Sequence, residues 1–310
     1  MTSTIITTTT TVKTPTAIAL GNFDGIHRGH QTVLHSLIDS LKSSHSATCP
    51  TVVSFSPHPR EFFTGEKIQF LTPVPQKAEL LANLGVEQLV LLTFDRSLAA
   101  LSPQEFVAKI LVRQLQAKVV SVGTDFRFGY QRRGTGKMLQ ELASQHGIDV
   151  RLNSLHKYQD DRDGAVRVSS SLIRQALSTG DLGTANAMLG RPYSLWGTVV
   201  TGQQLGRTIG FPTANLELPS SKFLPRFGVY EADVLLGRQI IKGVMNIGCR
   251  PTVAGESPTI EVHLLNWSGN LYGRKLRVNL IEFLRSEQKF ASVEALKQQI
   301  TRDCQMVLNN

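Results

Sequence analysis

The stretch Ala17-Ile-Ala-Leu-Gly-Asn-Phe-Asp-Gly-Ile-His-Arg-Gly-His30 joins an apolar run to three glycines and two histidines. Its first four residues read as a short buried strand. Helical spacing begins near Gly29 and continues through Val33, Leu34, Leu37, Ile38 and Leu41. The glycine turn between them has three readings: a metal site, a phosphate cradle, or a plain reversal of the chain. His27 and His30 supply two ligands, whereas a structural zinc site needs four and a catalytic one at least three. Helix starts present unpaired N–H groups and partial positive charge, which suits phosphate. A glycine turn after a buried parallel strand fits a nucleotide site.

Outward from this stretch, strand and helix keep alternating. Thr51–Phe55 is a strand, residues 76–84 a helix and Gln88–Phe94 a strand, followed by a helix over 103–116 and the strand Ala117–Val122. That alternation predicts a parallel α/β sheet. Beyond about residue 190 the pattern changes. Short strands crowd together at Ser194–Thr201, Val229–Leu235, Gln239–Ile247, Thr259–Leu265 and Lys275–Phe283, as in a β-barrel or sandwich. A last helix is capped by Ser292 and carries Val293, Leu296, Ile300, Cys304 and Val307 as its apolar stripe. The boundary falls near 186. The expected layout is a disordered tail over 1–16, an α/β domain over 17–186 and a β-barrel domain over 187–310.

Composition narrows the function. The chain has 310 residues, 41% of them hydrophobic, which excludes a disordered protein. A net charge of +9 favours anionic partners: nucleic acid, lipid or phosphorylated small molecules. Aromatic residues make up only 7%, with no interleaved basic and aromatic cluster, so nucleic acid is not expected. No apolar run approaches the ~18 residues of a membrane helix, so no membrane is expected either. Cys49, Cys249 and Cys304 are scattered and form no C-x-x-C pair, which points to a reducing cytoplasm. The start, MTSTIITTTTTVKTPT, has no apolar core of a secretory signal and reads as a frayed polar tail. Oligomeric state is left open.

Two near-motifs fail. Gly134-Thr-Gly-Lys137 suggests a P-loop, but Gln131 and Met138 stand where Gly and Ser/Thr belong. Asp161-Arg-Asp-Gly164 suggests a calcium loop, but Gln159 and Ser170 hold its first and last positions.

The opening stretch resembles G-x-F-D-G-x-H-x-G-H, the pattern of the adenylyltransferase module in bacterial bifunctional riboflavin kinase/FAD synthetases. The resemblance implies that His27 and His30 hold ATP phosphates and stabilise charge as pyrophosphate leaves. It also places Gly21, Phe23, Asp24 and Gly29 in the nucleotide site. H-x-G-H alone is similar to the ATP site of class I aminoacyl-tRNA synthetases, but their K-M-S-K-S loop is missing. In its place Val168-Ser-Ser-Ser-Leu-Ile-Arg174 resembles the flavin enzymes' I-S-S-T-x-I-R motif, with Val168 for Ile and Ser171 for Thr. This carries Ser170, Ser171 and Arg174 over as phosphate contacts. Ser56-Pro-His-Pro-Arg60 and Gly123-Thr-Asp-Phe-Arg-Phe-Gly129 resemble substrate loops of the same module, implying His58 and Asp125 on the flavin side. The run Arg127, Arg132, Arg133 and Lys137 either steers phosphates or is a solvated loop.

In the second half, Gly206-Arg-Thr-Ile-Gly-Phe-Pro-Thr-Ala-Asn-Leu216 resembles the riboflavin kinase motif G-R-x-x-G-F-P-T-A-N. The likeness implies ATP contacts at Gly206, Arg207 and Gly210, with Thr213 and Asn215 also contacting Mg2+. Gly228-Val-Tyr230, Asn246-Ile-Gly-Cys-Arg-Pro-Thr252 and Pro258–Leu265 match the remaining kinase landmarks in order, which makes Glu261 the catalytic glutamate. The fold implied is a Rossmann-like nucleotidyltransferase domain followed by an antiparallel β-barrel with a C-terminal helix. The activity implied is phosphorylation of riboflavin to FMN, then adenylylation of FMN to FAD, with ATP and Mg2+. An adenylyltransferase for another phosphorylated cofactor and an RNA-binding protein are the alternatives.

Overall fold

The computed structural model describes residues 4–44, 47–160, 164–202, 205–252 and 255–309. It divides into two compact units, Met1–Ser170 and Ser171–Asn310.

In the first unit, β1 (Ile5–Thr7), β2 (Thr16–Leu20), α1 (Arg28–Ser44) and β3 (Cys49–Ser56) come first. Then follow α2 (Pro59–Thr64), α3 (Val74–Ala82), β4 (Gln88–Thr93), α4 (Arg96–Ala99) and α5 (Pro103–Phe106). A capping box between Ser102 and Glu105 starts α5, which runs on as a π-helical stretch, Val107–Gln114. Next come β5 (Ala117–Gly123), the small ladder β6 (Arg127–Phe128) with β7 (Gly134–Thr135), and α6 (Gly136–Ser144). The strand β8 (Asp149–Asn153) and the hairpin β9 (Lys157–Asp160) with β10 (Gly164–Arg167) complete the unit.

Six strands form a sheet in the order β1-β4-β3-β2-β5-β8, and every pairing in it is parallel. Strand order runs outward from β2 in both directions, so the gap between the carboxyl ends of β2 and β5 is a topological switch point. The turn after β2 opens there. Both sheet faces are covered, which is why the strands are continuous apolar runs. Period-two alternation sends Ala17 and Ala19 toward α1 and α3, and Ile18 and Leu20 toward the helices of the opposite face.

The tail expected to be disordered contributes to this sheet. Ile5–Thr7 pairs in parallel with Gln88–Val90, and the Thr4 hydroxyl donates to the Val86 carbonyl at 2.7 Å. β-Branched Thr and Ile suit an edge strand whatever their polarity, so a polar-looking run still found a ladder.

The second unit contains most of α7 (Ser170–Thr179), then α8 (Leu182–Leu189), β11 (Tyr193–Val200), α9 (Leu205–Thr208) and β12 (Ala214–Glu217). The strands β13 (Gly228–Leu236), β14 (Gln239–Thr252), β15 (Gly255–Leu264) and β16 (Lys275–Arg285) follow, and α10 (Val293–Asn309) ends it. The barrel closes in the order β11-β12-β15-β14-β13-β16 with antiparallel pairings. Closure leaves no open edge. Ser292 caps α10 as expected, its hydroxyl accepting from the Ala295 N–H at 3.1 Å. Cys304 and Val307 of α10 pack on Val229 and Val244, outside the barrel.

The unit boundary at 170/171 lies earlier than 186, and packing supplies the reason. Asn186 of α8 donates to the Leu280 carbonyl at 3.1 Å and accepts from the Tyr193 N–H at 2.7 Å. Leu182 and Ala185 of the same helix are buried. α8 thus packs on the barrel strands β11 and β16. A fragment of residues 171–310 is expected to melt as one cooperative unit. A fragment of 187–310 loses the Asn186 bonds and the Leu182 burial, about 4 kcal/mol, and should melt roughly 10 °C lower. Equal melting temperatures by circular dichroism would contradict this.

Candidate functional site

The turn after β2 is held from below. Asp24 is buried, and its carboxylate accepts from the backbone N–H of Leu71 at 3.2 Å and of Thr72 at 3.1 Å. The Thr72 hydroxyl in turn accepts from the Gly25 N–H at 2.9 Å, and Gly21 donates to the Val53 carbonyl at 3.1 Å. These bonds impose left-handed backbone on two non-glycine residues, Phe23 (φ 49°) and Ile26 (φ 43°), beside Gly25 (φ 86°). Such residues cost about 1–3 kcal/mol each and persist where their surroundings over-determine them. Here the surroundings are core, since both side chains are 1% exposed. Asp24, expected in the nucleotide site, braces the turn from beneath through these backbone bonds.

The histidines lie at the mouth of this turn. The first intrahelical bond of α1 runs from the Gln31 N–H to the His27 carbonyl, so the N–H groups of Arg28 and Gly29 precede the helical ladder. His27 is buried, and its Nδ1 accepts from the His30 N–H at 3.2 Å. Neutral His27 therefore carries its proton on Nε2, as a donor. Its ring stacks on that of His30, centroids 3.6 Å apart, and Phe23 closes the other side of His30 at 5.0 Å. Burial, then the nearby His27 and Lys77, hold His30 well below the usual imidazole range, so it is neutral at pH 7. His30 Nδ1 and Asn22 Oδ1 are buried with no hydrogen-bond partner among the described residues. Buried polar atoms are ordinarily satisfied, and an incoming polar ligand supplies the missing partner. At Gly29 a Cβ would stand 3.3 Å from the His27 ring, so glycine is what lets imidazole lie over the helix start.

The other expected residues are placed more variously. The Ser170 hydroxyl donates to the Asp24 carbonyl at 2.8 Å, tying the Ser-rich segment to the turn. Ser171 and Arg174 belong to the second unit, where the Arg174 guanidinium lies over the Phe223 ring. His58 caps α2: its Nδ1 accepts from the Arg60 N–H at 3.1 Å, and Glu61 completes the capping box. Asp125 is ion-paired with Arg167 of β10. Arg127, Arg132 and Arg133 are exposed, with Arg133 over the Tyr130 ring.

The second unit carries a separate constellation. Asn215 of β12 lies directly across from Glu261 of β15, which in turn lies across from Asn246 of β14. Directly opposed residues share a face, so the three form one row. Ile260 and Val262 are buried on the other face, as strand alternation requires. The Thr213 hydroxyl donates to a Glu261 carboxylate oxygen at 3.2 Å. The loop before β12 folds over this row. Gly206 accepts from the Phe211 N–H at 2.8 Å, and a Cβ on Gly206 would collide with the Phe211 carbonyl. His263 holds the Pro212 carbonyl at 2.7 Å. Gly202 lies so near the Asn215 amide that any side chain there would overlap it. Arg207 and Gly210 (φ 92°) are exposed at the tip. Of the Asn246–Thr252 landmark, the side chains of Arg250, Pro251 and Thr252 lie outside the described residues, as does the 161–163 part of the rejected calcium loop.

Two family models match the chain, one after the other. Residues 9–171 match the FAD synthetase model, and residues 189–310 match the riboflavin kinase model. The chain is 43% identical over 288 residues to the bifunctional riboflavin kinase/FMN adenylyltransferase of Escherichia coli K12, covering 92% of this chain and 90% of that one. The chain belongs to the bifunctional riboflavin kinase/FMN adenylyltransferase family. A Bacillus subtilis relative of the same name is 35% identical over 294 residues, covering 93% of this chain and 90% of its own. A crystal structure from Streptococcus pneumoniae, named a macrolide-efflux protein, superposes with a TM-score of 0.86 at 30% identity, covering 99% of this chain and 100% of that one. Among the described residues here, no helix is long and apolar enough to cross a membrane.

Two features of this family member escaped the sequence. Lys77 is 4% exposed and donates to the Asn22 carbonyl at 2.7 Å, yet in α3 it reads as one more helix lysine. The second is a group of phenylalanines, 55, 62, 63 and 94, in edge-to-face contact with centroids 5.2–5.8 Å apart near the ends of β3 and β4. Phe63 is 71% exposed, and the doublet Phe62-Phe63 was the available signal. Gly29→Ala pushes a methyl against the His27 ring. It is expected to lower FAD formation from FMN at least tenfold while riboflavin phosphorylation and melting temperature stay unchanged. Wild-type FAD formation in this variant would contradict the packing argument.

Proposed function

We propose that the two constellations carry the two reactions separately: the Thr213, Asn215 and Glu261 row phosphorylates riboflavin, and the His27–His30 turn adenylylates FMN. The observation that supports this most is the pairing of Glu261 with Thr213 and Asn215 across β12 and β15, in a unit distinct from the histidines.

In the kinase reaction the riboflavin 5′-hydroxyl oxygen attacks the γ-phosphorus of ATP, the bond to the β-phosphate oxygen breaks, and ADP leaves. The hydroxyl proton goes to Glu261, a carboxylate on a rigid strand. Thr213 orients that carboxylate by donating to one of its oxygens. Thr213, Asn215 and Glu261 offer only oxygen donors, which suits Mg2+, an ion held by one or two carboxylates together with substrate phosphates. When bound, the ion would supply neutralisation of the charge on the ATP phosphates.

In the second reaction a phosphate oxygen of FMN attacks the α-phosphorus of ATP, and the bond to the β-phosphate breaks to release pyrophosphate. The chain's part is position and charge. His27 Nε2–H, the N–H groups at the start of α1 and the helix dipole converge on the phosphates. Within the same unit, Ser170, whose hydroxyl donates to the Asp24 carbonyl, extends the polar rim of the turn. The phenylalanine group offers ring faces and edges to a planar heterocycle, near the same sheet ends as His58, with Asp125 on the flavin side. We place the protein in the cytoplasm, a setting that fits cysteines 49, 249 and 304 forming no disulfide.

Two variants test the separation. Glu261→Gln should lower riboflavin kinase turnover by roughly 10²-fold, the low end for a general base in a loose phosphoryl transfer, with FMN-to-FAD conversion intact. His27→Ala/His30→Ala should do the reverse, lowering FAD formation by about 10²-fold or more while kinase turnover holds. If either variant loses both activities while remaining folded by circular dichroism, the two reactions are not separate.

A further inference from the structure

Lysine is almost never fully buried unless it is paired, because its long stem lets the ammonium reach water. Lys77 is 4% exposed in a helix whose Ala78, Leu80 and Leu81 pack in the same core. A leucine or methionine would fill that place with no desolvation cost. What the ammonium does there is specific: Nζ donates to the Asn22 carbonyl at 2.7 Å, one residue before the left-handed Phe23. Asn22 and Asp24 flank Phe23, so Lys77 and the Asp24 carboxylate brace the turn on both sides of its strained residue.

We propose that Lys77 is a positioning residue for adenylyl transfer, whose buried charge fixes the Asn22 carbonyl and keeps the stacked His27–His30 pair set for phosphate. The inference rests on reading this turn as the adenylylation site. Two imidazoles with centroids 3.6 Å apart cannot both carry positive charge, and a third cation beneath them opposes even one. Burial pushes the Lys77 ammonium down to about 8, against the attraction of Asp24, so it is still mostly charged at pH 7. The groups that face His30 are then His27 and Phe23 from the turn and Lys77 from α3, with Asp24 acting through Lys77. His30 is thus neutral, and its Nδ1 has no partner among the described residues, which leaves it able to meet the nucleotide.

The sign of the pH effect follows. If neutral His30 is the working form, adenylylation is lost as pH falls through its lowered value. Removing the Lys77 charge takes away one of the influences that lower it, so the loss begins at higher pH. Lys77→Met keeps length and apolar volume, and Lys77→Gln keeps a donor for the Asn22 carbonyl without the charge. Both are expected to form FAD from FMN with the acid limb of the kcat profile moved up by about half a pH unit or more. Lys77→Met should also lose at least tenfold in kcat at pH 7, with Lys77→Gln losing less. Riboflavin kinase turnover should be unchanged in both. A fall in activity with the acid limb unmoved would overturn the proposal and leave a packing role. So would full adenylylation in Lys77→Met. Should both variants fail to fold, Lys77→Arg, which keeps the charge and a donor, decides: adenylylation with the acid limb unmoved supports the proposal, and loss of adenylylation in the folded variant with kinase turnover intact overturns it. Absence of FAD formation in the wild type would instead refute the assignment of the site.

Discussion

The buried carboxylate of Asp24, bonded to two backbone N–H groups of the 71–72 segment, is the constraint on which the first unit's chemistry depends. It converts a loop that glycine alone would leave pliable into a turn of one shape, with Phe23 and Ile26 forced left-handed and sealed in the core. That shape sets where α1 begins, and the start of α1 sets where His27 and His30 stand. The shape of the turn is thus set during folding by the core that encloses it.

The second unit solves the related problem with a different device. Its polar row is set on strands. Cross-strand register aligns Asn215, Glu261 and Asn246, and a loop with obligatory glycines folds over them. Register in a closed barrel cannot slip by one residue without turning every side chain to the wrong face, so a carboxylate there is held as firmly as a core residue. The two arrangements therefore share no architecture, as expected of two modules joined in one chain.

Much of this was legible in the sequence, and the rest was not for identifiable reasons. The β2–turn–α1 unit announced itself because glycines, histidines and helical spacing coincide there. Four of the five expected barrel strands lie within a few residues of their observed starts. β12 was missed because only four residues follow a proline-containing turn, too few for alternation to register. α8 carries apolar residues that pack on barrel strands far along the chain, so its allegiance depends on tertiary contacts such as Asn186 with Leu280. The Thr-rich start conceals an edge strand because its pairing partner is β4, remote in sequence. Lys77 is invisible for a similar reason: nothing local distinguishes a lysine that enters the core from one that reaches water. At the sites, the histidines and Glu261 were named from motif, while the capping role of His58, the strut role of Asp24 and the Arg167 partner of Asp125 emerged only from geometry.

The central claim is that one chain makes FMN at its barrel and passes it to a separate phosphate turn for adenylylation. The most direct measurement follows riboflavin, FMN, FAD and pyrophosphate with time after mixing the purified protein with riboflavin, ATP and Mg2+. The account predicts that FMN appears first, that FAD follows after a lag, and that pyrophosphate matches FAD mole for mole. FMN that accumulates without FAD or pyrophosphate, with supplied FMN also left unconverted, would contradict it.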